Sequence, residues 1–309
     1  MRLTRSLCKQ NNAAVVSTKG LFWFLGLTFV VSWLIMGGLW LAGGLAMTLS
    51  ATIALIVVMW VPGLCVLVVT RFITHEPLAA AGLKRLDIKR YYLWAWLLLI
   101  LLTLVSGVLT WLLGAGEPDL SFSLVRQSLE QAAAQSPGSS GASLPPMPVI
   151  VAVQIAFALF AAPFINVFFA LGEELGWRGY LLSKLLPLGQ WPALLLSGII
   201  WGIWHAPIVA MGHNYPGHPV LGPFLMIGFC LLMGIILGWL QLTSGSVWVP
   251  ALAHGTLNAV AGLPLMVLTG IDLTIGGSPA SLIGWIGTAA CVGWLVLTRR
   301  LPVVEGQSE

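Results

Sequence analysis

The chain alternates long apolar runs with short polar connections. A run of about 18 or more nearly uncharged residues can cross the ~30 Å hydrocarbon layer of a bilayer as an α-helix. Eight such runs occur, at residues 21–46, 50–70, 91–113, 149–186, 192–211, 220–241, 247–268 and 281–298. The pattern therefore predicts an all-α polytopic membrane helix bundle with about eight transmembrane helices and both termini on the same side of the membrane.

The fourth run, residues 149–186, is too long for one membrane span. As a single helix it would extend roughly 57 Å, nearly twice the thickness of the hydrocarbon layer. Pro163 interrupts helical hydrogen bonding, so we expect a break there. The prediction is an outer or interfacial segment before Pro163 and a span from about Pro163 to Leu186. This span places Glu173 near the middle of the membrane.

Composition supports the membrane class. The chain is 58% hydrophobic and only 8% charged, whereas a soluble domain has about 25% charged residues. The four cysteines show no paired spacing, which argues against a disulfide framework. The net charge of +4 does not indicate nucleic-acid binding, because the basic residues lie beside apolar spans and so carry information on orientation.

The distribution of lysine and arginine predicts the topology. If the N-terminus is cytoplasmic, the predicted spans leave only Arg126 outside, among 14 basic residues. Such a strong bias is typical of cytoplasmic loops. We therefore expect cytoplasmic termini in a multi-pass protein. The predicted organisation is a basic tail (1–20), a three-span region (21–113), an external loop and linker with a weakly helical stripe (114–148), a catalytic membrane core (149–268), a last helix (281–298) and a second cytoplasmic tail (299–309).

Three charges interrupt the apolar pattern of the fourth run, at Glu173, Glu174 and Arg178. Each charge inside a bilayer costs roughly 2.5–3.5 kcal/mol on insertion scales. Such groups persist when they pair with one another or act in a water-filled cavity. Glu174 and Arg178 have the i,i+4 spacing of a helical ion pair. Glu173 points about 100° away from Glu174 and needs another partner.

Two later spans carry polar groups to a similar depth. The fifth run contains His205, and the seventh contains His254 and Asn258, which share one helix face at i,i+4 spacing. Three separate spans therefore bring polar side chains into the membrane. We interpret this convergence as one shared site.

Other polar and aromatic residues near these spans have ordinary structural explanations. His213 and His218 flank a short outer loop and are expected to be interfacial. Trp177, Trp201 and Trp204 lie near the proposed site and are expected to pack its walls.

The residue types allow two kinds of hydrolytic chemistry. A carboxylate in low dielectric, such as Glu173, suits general-base work, and His205 can orient a water. His254 and Asn258 can donate hydrogen bonds to a developing oxyanion. This set fits attack of an activated water on an amide. Alternatively, Glu173, His205 and His254 are a His₂Glu zinc set with an open position for water. The sequence leaves open whether the cofactor is zinc or whether there is none.

The motifs resemble those of a known family. Glu173-Glu174-x-x-x-Arg178, Trp201-x-x-x-His205 and His254-x-x-x-Asn258 are similar to the CPBP family, which comprises CAAX prenyl endopeptidases, bacteriocin-processing or immunity proteins and related intramembrane proteases. The similarity covers about residues 150–265, and the longer strings around the motifs look like those of bacterial members. Phe often begins the second motif, and Trp201 in its place is expected to change a wall of the site rather than its chemistry.

The resemblance implies a set of six catalytic residues, namely Glu173, Glu174, Arg178, His205, His254 and Asn258. Within it, Glu173 is the catalytic carboxylate, supported by Glu174 and Arg178. His205 helps to activate water, and His254 and Asn258 bind the oxyanion. Metal use in this family is disputed, so the resemblance also leaves zinc open.

The leading hypothesis is an intramembrane endopeptidase in a bacterial plasma membrane, with its site open toward the cytoplasm. Its partners would be the lipid bilayer and a membrane-associated or C-terminal peptide substrate. One alternative is a non-catalytic bacteriocin-immunity or membrane interaction protein. Another is a proton-coupled transporter that uses the same polar groups as a relay, although the chain has no clear inverted repeat.

Overall fold

A computed structural model describes residues 18–45, 49–77, 83, 89–134 and 145–301. Its α-helices, in chain order, are α1 (Thr18–Leu41), α2 (Leu49–Val68), α3 (Lys89–Leu112), α4 (Ser123–Ala134), α5 (Met147–Phe160), α6 (Ala162–Glu174), α7 (Leu182–Leu185), α8 (Gln190–Trp204), α9 (Ala206–Ala210), α10 (Leu221–Ser244), α11 (Trp248–Val260) and α12 (Leu282–Leu297). The predicted all-α membrane bundle is confirmed. Most of the N-terminal tail, the basic loop around Lys84 and Arg85, most of the Ser136–Pro148 linker and the chain after Leu301 lie outside the described residues.

Shorter elements connect these helices. α2 runs into a π-helical turn at Val69–Ile73, and α6 continues through the π-helical segment Leu175–Leu181 into α7. Two short strands, β1 (Glu117–Pro118) and β2 (Leu268–Thr269), pair in antiparallel orientation. The π-helical segment after α6 carries Arg178, so a wider helical turn lies beside the charged residues, where such turns are often found.

Each predicted apolar run contains a helix, but not every helix is long enough to cross a membrane. In the described part of the chain, α1, α2 with its π-helical turn, α3 and α10 meet the length and hydropathy of a span, and α5 with α6 makes a fifth if the bent pair is one span. α8, α11 and α12 have 15, 13 and 16 residues, fewer than the ~20 that a span needs. Length alone thus supports four or five spans, fewer than the eight expected. Proline explains two early ends, since Pro207 follows α8 and Pro264 follows α11.

The break expected near Pro163 is present. α5 and α6 meet at Ala161 with a bend of 47°. Pro163 occupies the first turn of α6, where a residue without a backbone N–H is tolerated. The helix that carries Glu173 therefore begins where the sequence predicted a break.

α6 lies at the centre of the bundle, packed between α11 and α2. Its contact with α2 is unusually close at Gly172. A Cβ atom on this residue would lie 2.6 Å from the backbone oxygen of Met59 and 2.7 Å from the Cα of Trp60. Glycine is therefore required at this position, because any larger side chain would push the two helices apart.

One end of the bundle carries most of the described basic residues, and we call it the basic end. Its members are Lys19, Arg71, Lys89, Arg90, Lys184, Arg299 and Arg300. Nζ of Lys184 contacts Oε2 of Glu76 at 2.6 Å, which joins α7 to the end of α2. The rings of Trp94 and Trp294 are 6.4 Å apart and join the start of α3 to the end of α12.

The opposite end, which we call the loop end, consists of residues 113–122, 211–220 and 261–281. The β1–β2 pair links the first and third of these segments. The hydroxyl of Tyr215 donates a hydrogen bond of 2.7 Å to the carbonyl of Ala280, which links the second to the third. The three segments therefore form one connected cap over the end of the bundle.

Candidate active site

The charged residues of the first motif form a buried ion pair. Glu174 closes α6, and Arg178 follows in the π-helical segment. Nη1 of Arg178 donates to Oε1 of Glu174 at 2.9 Å, and the two side chains are 1% and 0% exposed. The predicted i,i+4 pair is present, fully removed from lipid and from water.

His254 joins this pair from α11. Its Nδ1 lies 2.8 Å from Oε1 of Glu174. A carboxylate paired with arginine only accepts hydrogen bonds, so Nδ1 of His254 is the donor. One oxygen of Glu174 thus connects α6, the π-helical segment and α11. This contact fixes the plane of the His254 ring and leaves Nε2 available for a further partner.

Glu173 finds its partner on α8. The indole nitrogen of Trp201 donates a hydrogen bond of 2.8 Å to Oε2 of Glu173. The Trp201 ring also contacts Arg178, whose guanidinium lies over the ring at 4.2 Å from its centroid. Trp201 lines the cavity, as expected, and in addition it holds the carboxylate of Glu173. The need of a buried indole N–H for an acceptor was the signal in the sequence that could have predicted this contact.

His205 lies at the C-terminal end of α8. Its Nδ1 is 2.9 Å from the backbone oxygen of Trp201, one turn earlier. A carbonyl oxygen accepts, so Nδ1 donates and Nε2 of a neutral His205 carries the free lone pair. The Trp201 ring centroid is 5.5 Å from both the His205 and the His254 rings. Trp201 therefore contacts both histidine rings as well as Glu173.

The polar residues lie around a cavity of about 420 Å³, a volume within the range of ligand pockets. Four of the six predicted residues line it, namely Glu173, His205, His254 and Asn258. Glu174 and Arg178 lie behind His254 and Glu173. The first three lining residues are buried, whereas Asn258 is exposed. His213 and Asn214 also line the cavity. The sequence predicted only an interfacial position for His213. Its place in the cavity wall depends on how the loop end folds, which local spacing does not show.

The zinc hypothesis requires three ligands within reach of one ion. Across residues 18–45, 49–77, 83, 89–134 and 145–301, no three His, Cys, Asp or Glu side chains are grouped closely enough to hold a metal. The candidate set Glu173, His205 and His254 is therefore not assembled as a metal site in this structure.

Fold and site together define a polytopic membrane protein with a buried polar cluster at the base of a cavity. Residues 148–260 match the family model of the type II CAAX prenyl endopeptidases, described as Rce1-like. This segment contains all six predicted residues. The central part of the chain is therefore similar to this family, in agreement with the resemblance of the motifs.

A relative shows the same similarity. The chain is 33% identical over 94 residues to CAAX prenyl protease 2 of Methanococcus maripaludis, an alignment that covers 27% of this chain and 34% of the relative. The chain thus matches about a third of the length of this curated relative. The bacterial origin and the plasma-membrane location remain predictions.

Proposed function

We propose that the protein is an intramembrane endopeptidase that hydrolyses a peptide bond of a membrane-associated substrate. The observation that carries the proposal is the position of Glu173, buried in the wall of a cavity that His205 and His254 also line. The family match over residues 148–260 and the name of the relative support protease chemistry.

Glu173 and His205 activate the water in this proposal. Trp201 holds Oε2 of Glu173, which directs the carboxylate toward the cavity that both residues line. The carboxylate takes a proton from water as the water oxygen attacks the carbonyl carbon of the peptide. Nε2 of His205 accepts the second hydrogen bond of that water, because its Nδ1 is occupied by the carbonyl of Trp201. The histidine thus orients the attacking lone pair.

His254 and Asn258 stabilise the oxyanion that forms. Both line the same cavity, and they lie one turn apart on α11. His254 is held by Glu174, whose carboxylate favours the protonated imidazole that donates from Nε2. The Asn258 amide supplies a second donor. Loss of one such donor typically lowers turnover roughly 10²–10³-fold.

The reaction closes with proton transfer to the leaving group. When the tetrahedral intermediate collapses, the C–N bond breaks and the proton held by Glu173 passes to the departing amine. The products are a new carboxyl terminus and a new amino terminus, and Glu173 returns to its carboxylate form.

The decisive experiment compares membranes that contain the wild type with membranes that contain Glu173→Gln, by profiling of peptide N-termini at matched expression. The glutamine keeps the size of the side chain and removes the base. Glu130→Gln on α4, where the side chain is exposed, is the matched control. We expect a set of N-termini that is present with the wild type and the control and absent with Glu173→Gln. Identical profiles in all three would contradict the proposal and favour the non-catalytic immunity or interaction protein.

A further inference from the structure

The cavity draws its walls from only one half of the bundle. Met36 lies in the last turns of α1, Met59 at the middle of α2, and Met226 and Phe229 in the first half of α10. These parts of the helices lie between the middle of the bundle and the loop end. The remaining lining includes residues of the loop end itself, among them Ser278.

On the side of the basic end, the cluster is closed. Trp177, Arg178 and Leu181 are each at most 1% exposed. Gly176 packs so closely on α2 that a Cβ atom there would lie 2.4 Å from the Cβ of Pro62. The π-helical segment therefore forms a sealed floor beneath Glu173.

The rim of the cavity lies at the loop end. His213, Asn214, Asn258 and Gly262 line the cavity and are exposed, whereas Glu173 is 3% exposed. Exposure thus increases from the catalytic carboxylate toward the loop end. The cavity therefore offers a route to Glu173 from that side.

The charges of the bundle orient these two ends in the membrane. Of the described lysines and arginines, seven lie at the basic end, Arg178 is buried inside the bundle, and only Arg126 lies on the loop-end side. Lysine and arginine accumulate in cytoplasmic segments. This bias is a property of the assembled bundle and does not depend on how many helices are full-length spans.

We infer that the active site opens to the non-cytoplasmic side of the membrane and takes a peptide segment from that side. This inference rests on the proposed function, and it reverses the cytoplasmic opening expected from the sequence. The occupant is an extended, membrane-anchored segment with apolar side chains, because Met36, Met59, Met226 and Phe229 form the walls. Methionine adapts its shape to varied apolar partners. A cytoplasmic C-terminal peptide would meet the sealed floor.

The orientation is tested by cysteine labelling with a membrane-impermeant maleimide, in a background that carries Cys8→Ser. Asn214→Cys places a thiol on the rim of the cavity. Leu188→Cys is the matched control, since Leu188 is 50% exposed and follows Lys184 at the basic end. We expect Asn214→Cys to be labelled in intact cells to the level seen after permeabilisation, and Leu188→Cys only after permeabilisation. The reverse pattern overturns the inference.

A second position tests whether the cavity is continuous with that surface. Ala261 lines the cavity and is only partly exposed. The substitution Ala261→Cys therefore places a thiol in the cavity wall. A small charged methanethiosulfonate reagent, added to intact cells, is expected to modify it completely. Absence of modification in a protein whose Asn214→Cys variant is labelled would show a closed cavity and would also overturn the inference.

The location of the cleaved segments separates this inference from the proposed function. N-termini that depend on Glu173 should lie in non-cytoplasmic parts of anchored proteins, and Glu173-dependent termini in cytoplasmic segments contradict the inference. If no termini depend on Glu173, the proposed function fails. The labelling result still decides the orientation in that case, because it requires no catalysis.

Discussion

Trp201 donates its indole N–H to the carboxylate of Glu173 across the contact between α8 and α6, at 2.8 Å. The bond joins two residues that are 28 positions apart in the sequence. It turns a residue expected to fill a wall into one that holds the proposed general base. The position of the carboxylate should therefore depend on a single aromatic side chain.

Trp201→Phe should lower the rate of Glu173-dependent cleavage by roughly tenfold or more, since an unmet hydrogen bond to a buried charged group costs about 1–3 kcal/mol. Trp204→Phe is the matched control. It removes the same atoms from a buried tryptophan on the same helix, and Nε1 of Trp204 has no hydrogen-bond partner within the described part of the chain. The two initial rates are measured on one cleaved substrate at equal amounts of folded protein. Equal losses in both variants would assign the effect to packing.

The buried ion pair should dominate stability. Arg178→Met leaves the buried Glu174 with His254 as its remaining side-chain partner in the described part of the chain. Removal of one partner from a buried pair typically costs about 3–5 kcal/mol. Lys184→Met breaks the pair with Glu76, whose side chains are 23% and 33% exposed. Such exposed pairs contribute only about 0–1 kcal/mol. The midpoint of thermal unfolding in detergent should fall strongly for Arg178→Met and little for Lys184→Met. Similar shifts would contradict this explanation.

Local spacing predicted the parts of the site that lie on one helix. The pairing of Glu174 with Arg178 follows from i,i+4 geometry, and the break before α6 follows from Pro163. The convergence of three segments was also predicted, because polar groups within apolar spans need polar partners. These predictions required no knowledge of how the helices cross.

The remaining contacts depend on the packing of distant segments. His254 and Glu174 are 80 positions apart, and no spacing rule shows that they share an oxygen atom. The end of α8 at Trp204 places His205 at a helix terminus, whereas the apolar run continues past it. The opening of the cavity depends on the folded loops, in which Tyr215 contacts Ala280. Hydropathy alone contains none of this information.

Close packing of α6 on α2 should be essential for the position of Glu173. Gly172→Ala would place its Cβ 2.6 Å from the backbone oxygen of Met59, and such overpacking typically costs about 1–3 kcal/mol. We expect a lower unfolding temperature and reduced cleavage, because the backbone next to Glu173 must move. Gly37→Ala is the control, since its Cβ would have no neighbour within 4 Å. In a helix, that change should be neutral or stabilising by up to about 1 kcal/mol. A tolerated Gly172→Ala would show that the two helices are not locked together.

The start of α4 should be sensitive to acid. The hydroxyls of Ser121 and Ser123, together with the backbone N–H of Ser123, donate to Asp119 and hold the pKa of its carboxyl below the usual range. The backbone bonds are 2.9 Å from Ser121 and 2.7 Å from Ser123. A depressed pKa in the folded state means that this stabilisation is complete above the unfolded pKa of about 3.9. It is lost as the pH falls through the lower, folded value.

Amide protection factors at residues 123–126, corrected for the intrinsic pH dependence of exchange, measure this effect. The wild type should lose protection as the pH falls below about 4, near the unfolded pKa of aspartate. Asp119→Asn should give lower protection at neutral pH and no such acid transition, because the amide does not titrate. Asp272→Asn changes another surface carboxylate of the loop end, which accepts from the backbone N–H of Thr274. It should leave the transition in α4 unchanged. A transition that survives Asp119→Asn would mean that another group controls the start of this helix.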